Sequence, residues 1–162
     1  MKTLLLYYSN YQSIRELCEA SSKYKKVDVV ELRDRFERDA FWTATVGTYK
    51  AVCGQGTKIQ DIDVDLKEYD TIILATPVWG FNPAPAVNEF LHRTNLAGRE
   101  VSGLLIHSGK SAGMAADVLR KRIKLAGGVC CGMVSVPEKE LRRENCDLFT
   151  FLRQKFQRAR QS

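Results

Sequence analysis

Five short apolar runs, each bounded by polar residues, constrain this chain more than any other feature. They are residues 3–8 (TLLLYY), 27–32 (VDVVEL), 71–76 (TIILAT), 101–107 (VSGLLIH) and 129–136 (VCCGMVSV). Successive side chains of a strand point to opposite faces, so a strand wet on one face alternates apolar and polar residues. Most of these runs are near-continuous instead. They predict strands covered on both faces, as in a parallel sheet.

Between the runs, apolar residues return at helical spacing. Ile14, Leu17, Cys18 and Ser21 mark one face. Val87, Phe90, Leu91 and Thr94 mark another, after an Asn82-Pro83 start that suits a cap and first turn. Met114, Val118, Leu119 and Ile123 follow Ser111 and stop at Gly127-Gly128. Leu148, Phe151, Leu152 and Phe156 make a last helix. Residues 33–68 are long for one crossover, and helix is expected near 40–52 with a loop after it. The alternation predicts an α/β protein, an open parallel sheet with helices on both faces. At 162 residues, with no linker, repeat or low-complexity segment, the expectation is one domain over 1–162.

Composition removes several function classes. Hydrophobic residues, at 44%, supply a core, and 27% charged residues do not make a disordered chain. No apolar run reaches about 18 residues, so no membrane span is expected. The run Met1–Leu6 is too short for a signal peptide and no small-residue cleavage site follows, so a cytoplasmic location is expected. The cysteines, Cys18, Cys53, Cys130, Cys131 and Cys146, form no Cys-x-x-Cys pair. With only His92 and His107 beside them, they make no metal-ligand cluster. They read as buried reduced thiols, with Cys130 and Cys131 on opposite faces of a strand.

The formal charge is +6, from 25 basic and 19 acidic residues. The surplus gathers at Lys23, Lys25 and Lys26, at Arg120, Lys121, Arg122 and Lys124, and at Arg142, Arg143, Arg153, Lys155, Arg158 and Arg160. No aromatic residues interleave with them as a stacking surface requires, so they read as solvated helix faces rather than a nucleic-acid surface. No Ser-His-Asp, paired-carboxylate or reactive-cysteine arrangement is visible, and no catalytic residue is assigned.

In open α/β sheets, ligands bind beyond the carboxyl ends of the strands. Three turns follow strand ends here: residues 9–13, 77–83 and 108–113. All are rich in small and polar residues. Gly109-Lys110-Ser111 imitates the end of a Walker A loop. Leu104 stands where that motif needs its first glycine, and the match follows the fourth run rather than the first, so triphosphate hydrolysis is set aside.

The stretch 69–80 (YDTIILATPVWG), with Pro83-Ala84-Pro85-Ala86-Val87 and Phe90-Leu91 after it, resembles the flavodoxin family, in particular members with a Thr-Pro-Val-Trp turn after the third strand. Residues 96–101 (LAGREV) resemble the lead into the fourth strand, and 107–113 (HSGKSAG) the loop after it. The resemblance implies a three-layer fold, a five-stranded parallel sheet in the order 2-1-3-4-5, and bound FMN. It also implies electron transfer or flavin-dependent oxidoreduction. Trp79 matches the family's ring-stacking aromatic, with Pro77, Val78 and Gly80 shaping the turn. Ser108 and Gly109 would supply backbone donors on the other side of the ring.

The first turn departs from the family. Its pattern, Ser/Thr-x-Thr-Gly-Asn-Thr, wraps a phosphate at a helix N-terminus. Only Ser9 is kept; Tyr11, Gln12, Ser13 and Ile14 replace Thr, Gly, Asn and Thr. The helix dipole and its free N–H groups need no particular side chain. Ser9, Asn10, Gln12 and Ser13 are the expected phosphate donors, Ile14, at the place of the last threonine, is counted with them as cofactor-binding, and Arg15 is a candidate charge. The altered turn also keeps a second reading open, a binding or regulatory module of this fold that has lost FMN. Typical electron-shuttling flavodoxins are strongly acidic, and a +6 chain points instead to an FMN-dependent oxidoreductase or a carrier for an acidic redox partner protein.

Overall fold

The computed structural model describes residues 2–37, 39–141 and 148–159, and the side chains among them except those of residues 13, 148, 149, 153 and 157–159. Arg142, Arg143, Cys146 and Arg160, singled out above, lie outside the described residues, as do the side chains of Ser13, Leu148, Arg153 and Arg158.

Six strands form among the described residues: β1 (Thr3–Tyr7), β2 (Val27–Glu31), β3 (Thr71–Trp79), β4 (Asn82–Pro83), β5 (Glu100–His107) and β6 (Val129–Pro137). The path β2-β1-β3-β5-β6 is parallel throughout, and β4 pairs antiparallel with the end of β3. With β4 set aside, this is the 2-1-3-4-5 order. The continuous apolar runs have a direct cause, because alternate residues of one strand feed two different cores. Leu4, Leu6, Ile72, Leu74, Val101 and Leu105 pack under α4 (Pro85–Arg93) and α5 (Ala115–Leu125), against Phe90, Leu91, Leu119 and Ile123. Leu5, Tyr7, Ile73, Ala75, Leu104 and Ile106 pack on the other face, under α1 (Gln12–Glu19) and α6 (Leu148–Ala159), against Ile14, Cys18, Phe151 and Leu152. Each buried leucine contributes about 1.5–3 kcal/mol.

The helix end expected at Gly127-Gly128 is a Schellman cap. Gly127, at φ 87°, donates to the Lys124 carbonyl and Gly128 to that of Ile123. The helical segment expected near 40–52 is α2 (Ala40–Trp42), a π turn (Thr43–Gly47) and α3 (Thr48–Val52) in succession.

Several expectations are corrected. Residues 77–79 are not a turn, since β3 continues through them. A proline is tolerated at 77 because β1 ends opposite Ala75, so no ladder bond is lost on that side. Asn82-Pro83 do not start a helix; they are β4, and α4 begins at Pro85, with the Ala84 N–H donated to Thr76 Oγ1 at 3.1 Å. Met114 is exposed, and Ala115, Leu119 and Ile123 carry the buried stripe of α5. Of the described cysteines only Cys18 is buried; Cys53 is exposed, and Cys130 and Cys131 are intermediate. The register slips between Val101↔Cys130 and Ser102↔Gly132, so Cys131 is the extra residue of a bulge and strict alternation fails there. Arg122 is not on a solvated face. Its guanidinium donates to the side-chain carbonyl of the buried Asn88, and desolvation lowers its pKa.

Candidate functional site

The carboxyl ends of β1, β2, β3 and β5 converge on an open cleft of about 950 Å³. Its first wall is the turn after β1. Ser9 is buried, and its hydroxyl is already used: Oγ accepts the Tyr11 N–H at 3.1 Å and donates to the Tyr11 carbonyl at 3.0 Å. Asn10 Nδ2 donates to Thr43 Oγ1 at 3.5 Å. Gln12 Nε2 donates to Glu16 Oε1 at 3.1 Å, and its carbonyl accepts from Arg15 Nη1 at 3.2 Å. Tyr11 is the N-cap of α1, at φ −113°, and no side chain caps the helix. Tyr11's carbonyl receives the N–H groups of both Ile14 and Arg15. The turn therefore closes without glycine because it avoids positive φ, and an uncapped helix start faces the cleft.

The second wall, after β2, was not anticipated. Glu31 is held almost out of solvent, with a side chain 6% exposed. Arg15 Nε donates to its Oε1 at 2.6 Å and Arg33 Nε to its Oε2 at 2.5 Å. Arg15 thus turns toward β2 rather than back along its own turn. Next, Tyr8 Oη donates to Asp34 Oδ2 at 2.8 Å, while the buried Asp34 Oδ1 has no hydrogen-bond partner. The sequence signal was there: a run of alternating charges, Glu31 to Asp39, directly at a strand's carboxyl end.

The helical segment 40–52 forms the third wall, through Ala40, Thr43, Ala44 and Thr48. Asp39 starts it by accepting the Trp42 N–H at 2.7 Å. Gly47 packs tightly between two tryptophan rings. A Cβ there would lie 3.0 Å from the rings of both Trp42 and Trp79.

Trp79 closes the cleft from β3. It stands edge-on to Tyr8, with ring centroids 5.8 Å apart and planes at 75°. The hairpin joining β3 to β4 has both central residues at positive φ, Gly80 at 54° and Phe81 at 61°, as tight two-residue hairpins require. Phe81 is 60% exposed at the tip. From β5, Ser108 reaches the cleft. Behind it His107, buried, bonds the Gly109 carbonyl through Nδ1 at 2.9 Å, so that nitrogen carries the proton.

Of the residues selected from sequence, the cleft brings together Ser9, Asn10, Trp79 and Ser108, with Arg15 beside them. Gln12 is tied to Arg15 and Glu16 outside the lining. The Ile14 side chain lies in the second core. Pro77 is buried within β3, Val78 packs on the first core, and Gly80 sits against Val52 and Thr48 at the hairpin tip. Gly109 has open space around it and does not line the cleft. Among the described residues no group of three or more His, Cys, Asp or Glu is placed to hold a metal ion. No described helix is long and apolar enough to cross a membrane.

Solved structures share this architecture. A flavoprotein from Lactobacillus acidophilus NCFM, crystallised in complex with FMN, is 23% identical, with a TM-score of 0.71 over 83% of this chain and 92% of that one. An NADPH-quinone reductase from P. pentosaceus is 13% identical, with a TM-score of 0.52 over 88% and 94%. A flavodoxin from the domain Archaea is 15% identical, with a TM-score of 0.50 over 88% and 90%. At these identities the likeness is one of fold. No curated protein matched the sequence. A family model described as NADPH-dependent FMN reductase matches residues 9–145, and the chain, with its flavodoxin-like fold, belongs to that family.

Proposed function

We propose that the cleft at the strand ends is where this FMN-binding, flavodoxin-like redox protein holds its cofactor, with the flavin ring against Trp79 and the phosphate at the start of α1. One observation carries the reading. The uncapped start of α1, the Trp79 end of β3 and Ser108 after β5 all reach a single cleft. The residues present suit the group. A flat ring with apolar faces and a polar edge takes an aromatic wall and nearby backbone groups, and a phosphate takes free helix N–H groups. FMN, once bound, supplies the chemistry of moving a hydride or single electrons. The chain's part is to hold the ring, exclude water from one face and set the local charge. We assign the ring contact to the Thr76–Trp79 segment, where Tyr8 and the bare backbone of Gly47 fix the tryptophan.

The partner in this reading is an acidic redox protein. Exposed apolar side chains gather at the cleft end of the molecule: Tyr11, Phe36, Phe41, Tyr49, Phe81 and Met114. Arg33, Arg35 and Lys110 are exposed among them, against the acids Glu37 and Asp39. Such a surface docks a partner through apolar contact and steers it by charge. Association with an acidic carrier protein should slow as salt rises.

Purified chain should carry, or take up, yellow flavin, and Trp79→Ala should weaken FMN binding by about 1–3 kcal/mol if stacking has its usual worth. A chain that neither retains nor binds FMN, measured by fluorescence quenching, would overturn the reading.

A further inference from the structure

The described side chains of the first turn offer a phosphate only neutral donors, and part of that capacity is already used. The Ser9 hydroxyl already donates to the Tyr11 carbonyl, and the Asn10 and Gln12 amides each spend one of their two N–H groups within the protein. The uncapped helix start offers neutral donors only. A nearby pair of cations is differently placed. Arg15 and Arg33 both line the cleft, and both bond the single carboxylate of Glu31.

That arrangement leaves charge and donors over. A guanidinium carries five N–H groups in a planar fork. Glu31 takes only the Nε–H of each arginine, and Arg15 spends one more on Gln12. No other hydrogen bond of the Arg33 side chain occurs among the described residues, and that side chain is 60% exposed. Within this trio two cations share one anion, which leaves one positive charge on it, while Arg35, Asp34, Glu37 and Asp39 also line the cleft. The nearly buried carboxylate fixes where both guanidinium groups sit, which lowers the entropy cost of using them.

We infer that Arg33, with Arg15, forms an anion-reading site across Glu31 that takes the phosphate end of the flavin and replaces the hydroxyls this turn lacks. Arg33 is the specificity-determining residue of the site, and Glu31 is a positioning residue that acts only through the two arginines. The inference rests on the flavin reading above.

The test uses full-length protein stripped of flavin, with FMN and riboflavin as paired probes, since riboflavin lacks only the phosphate. Arg33→Gln should lower the ratio of FMN to riboflavin affinity by about tenfold, the size expected for a charge-assisted contact that is partly solvated. Arg33→Lys should recover part of it. Arg120→Gln, which removes a half-exposed cation of α5 paired with Asp117, should leave the ratio unchanged. Equal losses for the two flavins in Arg33→Gln would make Arg33 structural and sink the inference while the flavin reading stands. No loss for either flavin would show that Arg33 does not touch the phosphate and would sink it too. A wild-type chain that binds neither flavin would overturn the flavin reading itself, and this inference with it.

Discussion

Replacing Gly80 by alanine tests whether the hairpin after β3 and the helical segment 40–52 hold each other in place. Gly80 has φ 54°, and a Cβ there would stand 2.7 Å from Val52 Cγ2 and 3.1 Å from Thr48 Cγ2. Two costs add. The left-handed backbone costs alanine roughly 1 kcal/mol more than glycine. The clash forces α3 or the hairpin to move, and overpacking of this kind costs about 1–3 kcal/mol. Together they predict a loss of about 2–4 kcal/mol, read as a lower urea midpoint at unchanged slope. Val52 is 54% exposed, so Val52→Ala alone should change little. Combined with Gly80→Ala it removes the nearer clash and should return about half the loss, leaving the backbone cost. Because Gly47 of the same segment touches the Trp79 ring, Gly80→Ala should also weaken flavin binding. An unshifted midpoint, or a double variant no more stable than Gly80→Ala, would show that α3 does not pack on the hairpin.

Two other outcomes follow from the same structure. Alkylation of native protein with iodoacetamide, followed by peptide mapping, should mark Cys53 and spare Cys18, because burial removes Cys18 from solvent and pushes its thiol well above the ordinary range; prompt labelling of Cys18 would contradict its place in the core. Asp28 is held below the usual carboxylate pKa by the Tyr69 hydroxyl at 2.7 Å and by Lys2 Nζ at 3.0 Å. Its contribution is therefore complete above its unfolded-state pKa of about 4 and is lost as pH falls through the lower folded value. Asp28→Asn should be destabilising at pH 7 and approach wild type in acid, and a gap constant from pH 7 to the acid limb would rule the linkage out.

The sheet was legible because its cause is written residue by residue. Leu4, Leu5 and Leu6 read as one apolar run, and they are one run because they serve two cores in turn. The end of α5 was legible for a similar reason, since only glycine sits easily at the φ of 87° that the cap needs. The β3 hairpin was hidden by its own residues. Proline and glycine near 77–80 are turn signals locally, and only the length of the neighbouring strand shows that Pro77 breaks nothing. Cys131 misled in the same way, as no local feature marks a bulge set by the register of β5. The β2 wall went unseen because Glu31 to Asp39 look like a solvated loop. A buried carboxylate becomes visible only once Arg15, from another element, is placed beside it.

The altered first turn separates where an anion binds from how strongly it is held. In the proposed reading, location comes from the start of α1 and survives the loss of threonine and glycine, because Ser9 and the Tyr11 carbonyl close the turn by themselves. Strength, in the reading inferred above, comes from backbone N–H groups, from the remaining amide donors of Asn10 and Gln12, and chiefly from the two arginines on Glu31. The neutral and the charged sources respond differently to salt. Backbone donors enclosed by the turn are little affected by ionic strength, whereas the Arg33 side chain is 60% exposed and its field is screened over about 10 Å at 0.1 M salt. The preference for FMN over riboflavin should therefore decline as sodium chloride rises from about 0.05 M to about 0.5 M, with riboflavin affinity nearly constant as the internal control. In Arg33→Gln the remaining preference should be smaller and flatter with salt. A wild-type preference that ignores ionic strength would assign the phosphate to the helix start alone and return the arginines to a purely structural role.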